Sequence, residues 1–287
     1  MTTLINNSND VTKLHFTKMQ GLGNDFMVIN GIRQPFLLNA KQIQQLSDRH
    51  FGVGFDQLLL VEASSNPSAD FVYRIFNADG QEVNQCGNGA RCIARFVREQ
   101  GLSDKTHLTV QTRVGSLELN IKENGDVTVN MGIPEFEPKK IPFAVSEFAP
   151  IYLFNCHSQI FEVSACSLGN PHAVIVVEQL ENTDVQKIGQ QFNQDPRFPE
   201  GVNVGFIKIE NRNAVKLRVF ERGVGETFAC GSGAAAAVAV GRLRELLNDT
   251  VTVTLPGGQL TIVWKNRSAP LYLSGPTKTV YEGTVTL

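Results

Sequence analysis
The 287-residue chain has no Cys-x-x-Cys pair, no His-x-x-x-His spacing, no block of lysine or arginine, and no apolar run of about 18 residues. Each absence removes a class of function. The first two take away the usual ligand spacings of a structural zinc site, so no metal is expected. Without a basic block, and with a formal net charge of −2 and a pI near 6.2, nothing favours a nucleic-acid backbone or an anionic membrane surface as partner. The missing apolar run leaves no candidate membrane-spanning helix. Met1 to Thr12 is polar, lacks the basic start and apolar centre of a signal peptide, and reads as a disordered extension. Five cysteines, an odd number without a secretion signal, point to reduced thiols in the cytoplasm and not to a disulfide framework.

What the chain does have is a repeat. Cys86-Gly87-Asn88-Gly89-Ala90-Arg91 returns 144 residues later as Cys230-Gly231-Ser232-Gly233-Ala234-Ala235, and the same shift carries Phe76 onto Phe220. A shift of 146 carries Leu22-Gly23-Asn24 onto Leu168-Gly169-Asn170. With 42% hydrophobic and 19% charged residues, the composition is that of an ordinary globular protein. Two domains of about 140 residues follow, 13–131 and 132–275, after an N-terminal extension over 1–12.

Periodicity places the repeated motifs on similar elements. Leu14 to Asn30 is extended around a Gly21-Leu22-Gly23-Asn24 turn, and Asn39 caps a short helix to His50 with Ile43 and Leu46 on one face. Phe71 to Phe76 alternates into the first cysteine turn. Ala90, Ile93, Ala94 and Val97 then mark a helix from Asn88 to Gln100, stopped by Gly101. Strands follow at Leu108 to Thr112, Ser116 to Lys122 and Asp126 to Met131, the last two joined by Asn124-Gly125. The proline-rich segment Gly132 to Pro150 begins with the crossover between halves. In the second half Thr183 is expected to cap a helix carrying Val185, Ile188 and Phe192. Lys216 to Phe220 feeds the second cysteine turn, Gly233 to Val240 forms a buried helix, and Val251 to Leu255 pairs with Gln259 to Trp264 through Pro256-Gly257-Gly258. The fold class expected is α+β, an antiparallel sheet wrapped on a helix in each half, without βαβ alternation.

A cysteine at a helix N-terminus lies beside unpaired N–H groups and a partial positive charge, which stabilise a thiolate and can draw its pKa below the free value of about 8.5. Two such turns facing one another would hold a carboxylate between helix ends, with sulfurs on either side of the adjacent carbon. One thiolate could then remove an α-proton while the opposite thiol supplies another. The alternative for a single cysteine is a small buried hydrophobe, and that reading stands for Cys92, Cys156 and Cys166. Phosphate binding has little support: Gly87-x-Gly89-x-x-Cys92 and Gly223-x-Gly225-x-x-Phe228 lack the third glycine of a dinucleotide fingerprint and the ending of a P-loop.

Six segments in order resemble the diaminopimelate epimerase family: Gly21-Leu22-Gly23-Asn24-Asp25-Phe26, Phe76-Asn77-Ala78-Asp79-Gly80, Cys86 to Cys92, Ser167-Leu168-Gly169-Asn170-Pro171-His172, Glu221 to Thr227, and Ala229 to Gly233. The resemblance runs from about Leu14 to the C-terminus. It implies a cofactor-independent isomerase that interconverts LL- and meso-2,6-diaminopimelate, on the route to lysine and peptidoglycan. It further implies two pseudo-symmetric domains with the active site in the cleft between them, a homodimer, and a C-terminal strand over 276–287 that returns to the first domain. On this chain it implies that Cys86 and Cys230 are the acid/base thiols, supported by His172 and Glu221. The substrate-binding set would be Asn24, Gln57, Asn77, Gly87, Asn88, Asn170, Asn203, Glu221, Arg222, Gly231 and Ser232. Arg222 can grip a carboxylate bidentately, and asparagine amides both donate and accept. The chain departs from the family pattern in its first dozen residues and in the alanines after Gly233, where a further cysteine is often expected. Two other readings stay open: a sister racemase acting on proline or hydroxyproline, and a thiol-dependent amino-acid-binding or redox-sensing protein on the same scaffold.

Overall fold
The computed structural model describes residues 13–84, 86–156 and 159–287; the expected N-terminal extension lies outside them. The first half runs β1 (Lys13–Gly21), β2 (Asn24–Asn30), α1 (Ala40–Ser47), β3 (Gln57–Ala63), β4 (Phe71–Asn77), β5 (Glu82–Val83), α2 (Gly87–Glu99), β6 (His107–Thr112), β7 (Gly115–Ile121) and β8 (Val127–Asn130). The second half runs β9 (Tyr152–Cys156), β10 (Gln159–Ser167), β11 (Pro171–Val176), α3 (Val185–Gln194), β12 (Asn203–Asn211), β13 (Ala214–Glu221), β14 (Gly225–Thr227), α4 (Gly231–Leu243), β15 (Thr250–Leu255), β16 (Gly258–Val263) and β17 (Tyr272–Gly275). The chain closes with β18 (Lys278–Thr286), which lies antiparallel against β1 from Lys13↔Thr286 to Gln20↔Lys278.

Pairings make the duplication explicit. Reading across neighbours, the first half is ordered β18-β1-β2-β3-β4-β6-β7-β8 and the second β9-β10-β11-β12-β13-β15-β16-β17, and β8 pairs with β17 to join them. The short strands β5 and β14 sit on β4 and β13. The sheet is mostly antiparallel, as the alternating segments and tight turns predict. Four pairs are parallel, however: β2 with β3, β4 with β6, β11 with β12, and β13 with β15. A helix spans each of these connections, so the expectation of no βαβ units is corrected. Parallel neighbours cannot be joined by a hairpin, and α1 to α4 supply the crossovers.

Local chemistry explains the helix limits. Asn39 forms a full capping box with Gln42, and α1 stops at Ser47, three residues before the expected His50. There the Asp48 carboxylate accepts the N–H groups of His50 and Phe51 and turns the chain. In α3 the cap is Asp184, not Thr183: Asp184 accepts from the Lys187 N–H, while the Thr183 hydroxyl donates back to the Gln179 carbonyl. Past α2, Gly101 adopts φ +61° and ends the helix.

Successive residues of the central strands feed different cores. Phe26, Val28, Leu59 and Val61 join a cluster that holds both α2 and α4, while Met27, Ile29, Leu58 and Leu60 pack on α1. In the second half, Ala173, Ile175, Val204 and Phe206 form a separate cluster with α3. The α2/α4 cluster is continuous through the molecule. The two halves also meet where the β1–β2 turn lies on the β15–β16 turn; a Cβ on Gly257 would lie 1.9 Å from the Leu22 carbonyl oxygen.

Candidate active site
Strands β4 and β13 occupy equivalent places, and each leads through a short antiparallel strand to a cysteine that caps the following helix. Cys86 is the N-cap of α2, with Sγ accepting from the Gly89 N–H at 3.3 Å. Cys230 is the N-cap of α4. The two N-termini converge. Asn88 Nδ2 donates to the Ala229 carbonyl and to Asn24 Oδ1, both at 3.3 Å, and a Cβ on Gly231 would lie 3.3 Å from Asn88 Oδ1. Asn88 therefore ties the start of one helix to the residue before the other cysteine.

On the first side, Asn24 Oδ1 is 3.9 Å from Cys86 Sγ. Its amide donates to Asp56 Oδ2 at 2.8 Å. Arg49 spans Asp56 at 2.9 Å and Asp25 at 2.7 Å, and Lys18 reaches Asp25 at 2.5 Å. Burial pushes the Asp25 carboxyl upward, but the hydrogen bonds and charges of Arg49 and Lys18 outweigh it and hold it near 2. This ion cluster fixes Asn24 against the sulfur. Gln57 donates to Asn77 Oδ1 at 2.9 Å. Gln57 Oε1 and Asn88 Oδ1 are both buried without a hydrogen-bond partner. Such acceptors carry a desolvation cost until a donor arrives.

On the second side, the Cys230 thiol donates to Glu221 Oε2 at 3.2 Å, and the other carboxylate oxygen accepts from Thr227 Oγ1 at 2.6 Å. Ser232 Oγ is 3.7 Å from Cys230 Sγ and accepts from Asn170 Nδ2 at 3.4 Å. Asn170 Oδ1 meets His172 Nε2 at 3.0 Å. Since the Asn170 amide already donates to Ser232, its oxygen is the acceptor, and His172 carries its proton on Nε2. Burial, with the nearby Arg222 charge, drives His172 down to about 3, so it is neutral. Arg222 is exposed; its backbone N–H meets Asn203 Oδ1 at 2.9 Å and its guanidinium donates to the Glu200 carbonyl at 2.7 Å.

The helix ends do not lower the thiols. Burial pushes Cys86 up to about 11 despite the Gly89 and Asn88 N–H groups. Cys230 lies well above the ordinary thiol range through burial and the Glu221 charge. Desolvation of an anion outweighs two or three backbone donors. The expectation of depressed values is corrected for the unliganded protein.

The sequence-predicted residues thus fall into two groups by half: Asn24, Gly87 and Asn88 beside Cys86 with the Gln57–Asn77 pair on the neighbouring strands β3 and β4, and Asn170, His172, Asn203, Glu221, Arg222, Gly231 and Ser232 in the half that holds Cys230. Sequence reasoning missed Asp56, which orients Asn24, and Thr227, which holds Glu221. Thr227 lies inside the Glu221 to Thr227 motif and Asp56 directly precedes Gln57, so adjacency was the available signal.

A family model described as diaminopimelate epimerase matches residues 16–137 and 164–280, once in each half. Among solved structures, the chain is similar to a hydroxyproline epimerase from Agrobacterium vitis with bound trans-4-hydroxy-L-proline, at 16% identity over 96% of this chain and 93% of that one, with a TM-score of 0.71. A Bacillus anthracis phenazine biosynthesis protein of the PhzF family aligns at 16% identity over 96% of this chain and 100% of that one, with a TM-score of 0.68. A methylitaconate-delta-isomerase aligns at 12% identity over 97% of this chain and 96% of that one, with a TM-score of 0.64. At these identities the likeness is one of fold. Among the described residues no helix is long and apolar enough to cross a membrane.

Proposed function
This chain belongs to the diaminopimelate epimerase family, a family of isomerases, and on that premise we propose that it interconverts LL- and meso-2,6-diaminopimelate without a cofactor. The observation that carries the reading is the pair of cysteines capping two helices whose N-termini are joined through Asn88. In the reaction, one thiolate takes the α-proton and becomes a thiol. The electron pair left on the α-carbon takes the proton of the opposite thiol on its other face. Configuration inverts, and the negative charge passes from one sulfur to the other.

The α-proton beside a carboxylate is very weakly acidic, so the site must stabilise charge as it develops. The N–H groups at the starts of α2 and α4, including those of Gly87, Asn88, Gly231 and Ser232, are fixed dipoles for the reacting carboxylate. Asn88 Oδ1 and Gln57 Oε1, buried and unpartnered, are suited to accept from an ammonium group. A bound ammonium beside Cys86 would also bring its pKa down towards the working range. Glu221, 3.2 Å from Cys230, is the base that exchanges a proton with that thiol. Arg222 and Asn203 are assigned to the distal amino-carboxylate, the feature that separates this substrate from proline. Cys230 is only 4% exposed, so the halves must part for substrate to enter.

The test is α-proton exchange in D₂O with reduced protein, LL-diaminopimelate and, in parallel, L-proline. Deuterium incorporation with appearance of the meso isomer is expected for diaminopimelate alone, and is expected to vanish in Cys86→Ala and in Cys230→Ala. Exchange on proline instead would transfer the chain to the sister racemases. No exchange on either, with the thiols verified as reduced, would favour a binding protein.

A further inference from the structure
The asparagines beside Cys86 form a chain that can lie only one way round. Asn24 Nδ2 donates to Asp56 Oδ2 at 2.8 Å, and Asn24 Oδ1 accepts from Asn88 Nδ2 at 3.3 Å. Asn88 Nδ2 also donates to the Ala229 carbonyl at 3.3 Å. The two ends of the chain, an ionised carboxylate and a backbone carbonyl, accept and cannot donate. Reversing either amide, or both, would set oxygen against oxygen. Asn88 Oδ1 is the atom left over, buried and without a hydrogen-bond partner. A Cβ on Gly231 would lie 3.3 Å from it, which places this oxygen between the starts of α2 and α4.

Asp56 is itself held in place. Its Oδ2 takes the Asp25 N–H at 3.1 Å besides the Asn24 amide, and its Oδ1 takes Arg49 Nη2 at 2.9 Å. The Asp56 N–H in turn donates to Asp25 Oδ1 at 3.1 Å. Both side chains of the Arg49–Asp56 pair are about half-exposed, where an ion pair adds little to stability. What the pair does fix is direction, because the groups bonded to the carboxylate all donate. The second half lacks this device. A shift of 146 carries Asn24 onto Asn170 but Asp25 onto Pro171 and Asp56 onto Val202, and a shift of 144 carries Asn88 onto Ser232. There Asn170 lies between the Ser232 hydroxyl at 3.4 Å and the His172 ring at 3.0 Å. A hydroxyl and an imidazole donate or accept as their hydrogens move, so no acceptor-only group dictates the order.

We propose that Asp56 is a positioning residue for ligand recognition: through Asn24 it turns Asn88 so that the buried Asn88 Oδ1 is offered between the two helix ends as the acceptor for a ligand ammonium group. This rests on the diaminopimelate reading above and adds to it the residue that decides the polarity of the Cys86 side. A buried acceptor without a donor carries a desolvation cost, which an ammonium group relieves and a carboxylate does not. Without the Asp56 carboxylate Asn24 is free to turn over. Its amide would then face the Asn88 amide, donor against donor, and Asn88 would lose one of its two anchors.

The experiment follows the kinetics of α-proton exchange on diaminopimelate in D₂O, with pimelate as competitive inhibitor. Pimelate keeps both carboxylates of that substrate and lacks both ammonium groups. In Asp56→Ala the KM for diaminopimelate is expected to rise about tenfold, the effect of one hydrogen bond to a charged group. The inhibition constant of pimelate is expected to stay within about twofold, because a site that is merely loosened would lose both ligands alike. An unchanged KM, or an equal loss for both ligands, overturns the proposal. If the wild-type protein exchanges nothing, the diaminopimelate reading falls by itself, and a stability cycle decides the inference. Asn24→Asp sets two carboxylates against each other and is expected to lower the urea midpoint. Adding Asp56→Asn, which restores a donor between them, is expected to recover about half of that fall or more. A double variant no more stable than Asn24→Asp overturns the proposal. Should Asn24→Asp not fold, a folded double variant upholds it and an unfolded one overturns it.

Discussion
The loops after β4 and β13 are the same piece of backbone used twice, yet their sulfurs are held by different means. Cys86 is half-buried and takes a main-chain N–H from Gly89. Cys230 is nearly inaccessible, and its thiol donates a hydrogen bond to the carboxylate of Glu221. Duplication kept the dipoles of the helix ends and let the charged side chains diverge. On the proposed two-thiol reading this difference matters, because inversion would need one sulfur without its proton while the other retains it. The asymmetry lies in side chains, among them Asn77 against Glu221 and Asn88 against Ser232 at the 144-residue shift, and not in the fold.

The most severe way to break the comparison is to remove the acid that only the second turn has. Glu221→Gln keeps the shape and the Thr227 contact but takes away the proton acceptor of Cys230. Turnover in the D₂O assay is expected to fall on the order of a hundredfold. An unchanged rate would mean that the two turns work alike and that Glu221 is no more than a support. A smaller effect separates the turns by packing. In the first, a Cβ on Gly89 would lie 2.3 Å from the hydroxyl of Tyr73, a side chain only 1% exposed with nowhere to go. In the second, a Cβ on Gly233 would meet nothing nearer than Val219 Cγ2 at 3.1 Å. Gly89→Ala is therefore expected to cost about 2–3 kcal/mol in chemical denaturation, as overpacking does. Gly233→Ala is expected to stay within about 1 kcal/mol, since better helix propensity offsets a slight crowding. Equal losses would show that the glycines serve the helix start itself and not their different neighbours.

Much of this was legible in the residues. The two thiols, the helices they cap and the hairpins around Asn124-Gly125 and Pro256-Gly257 follow from motif and period, because each is a local signal. What stayed hidden lies where polar alternation is missing. β3 and β12 are buried on both faces, since successive residues such as Leu58 and Leu59 enter different cores, while in β9 and β10 the apolar Leu153 and Ile160 lie on the exposed face and blur the period. The parallel crossovers escaped for the same reason. At the site, the residue types were readable but their electrostatics were not. A helix end beside a cysteine predicts a lowered thiol, and only the fold reveals that burial wins.

The gentlest test concerns the frame of the repeat. A shift of 144 puts Asn39 on Thr183, yet the helix that follows is capped by Asp184, one residue later. Asn39 has Gln42 three residues on and closes a two-way capping box, whereas the residue three after Asp184 is Lys187, which cannot accept the return bond. Asp184→Ala is expected to cost about 1 kcal/mol by denaturant midpoint. Thr183→Ala removes only a half-exposed bond to the Gln179 carbonyl and is expected to cost about half as much. The reverse order would place the helix start at Thr183 and restore the repeat to strict register. With the order as expected, the halves have slipped by one residue at a surface helix while keeping their spacing at the thiols. That is the pattern the proposed chemistry would impose, because a cap tolerates a change of residue and position that two sulfurs required to work on one carbon would not.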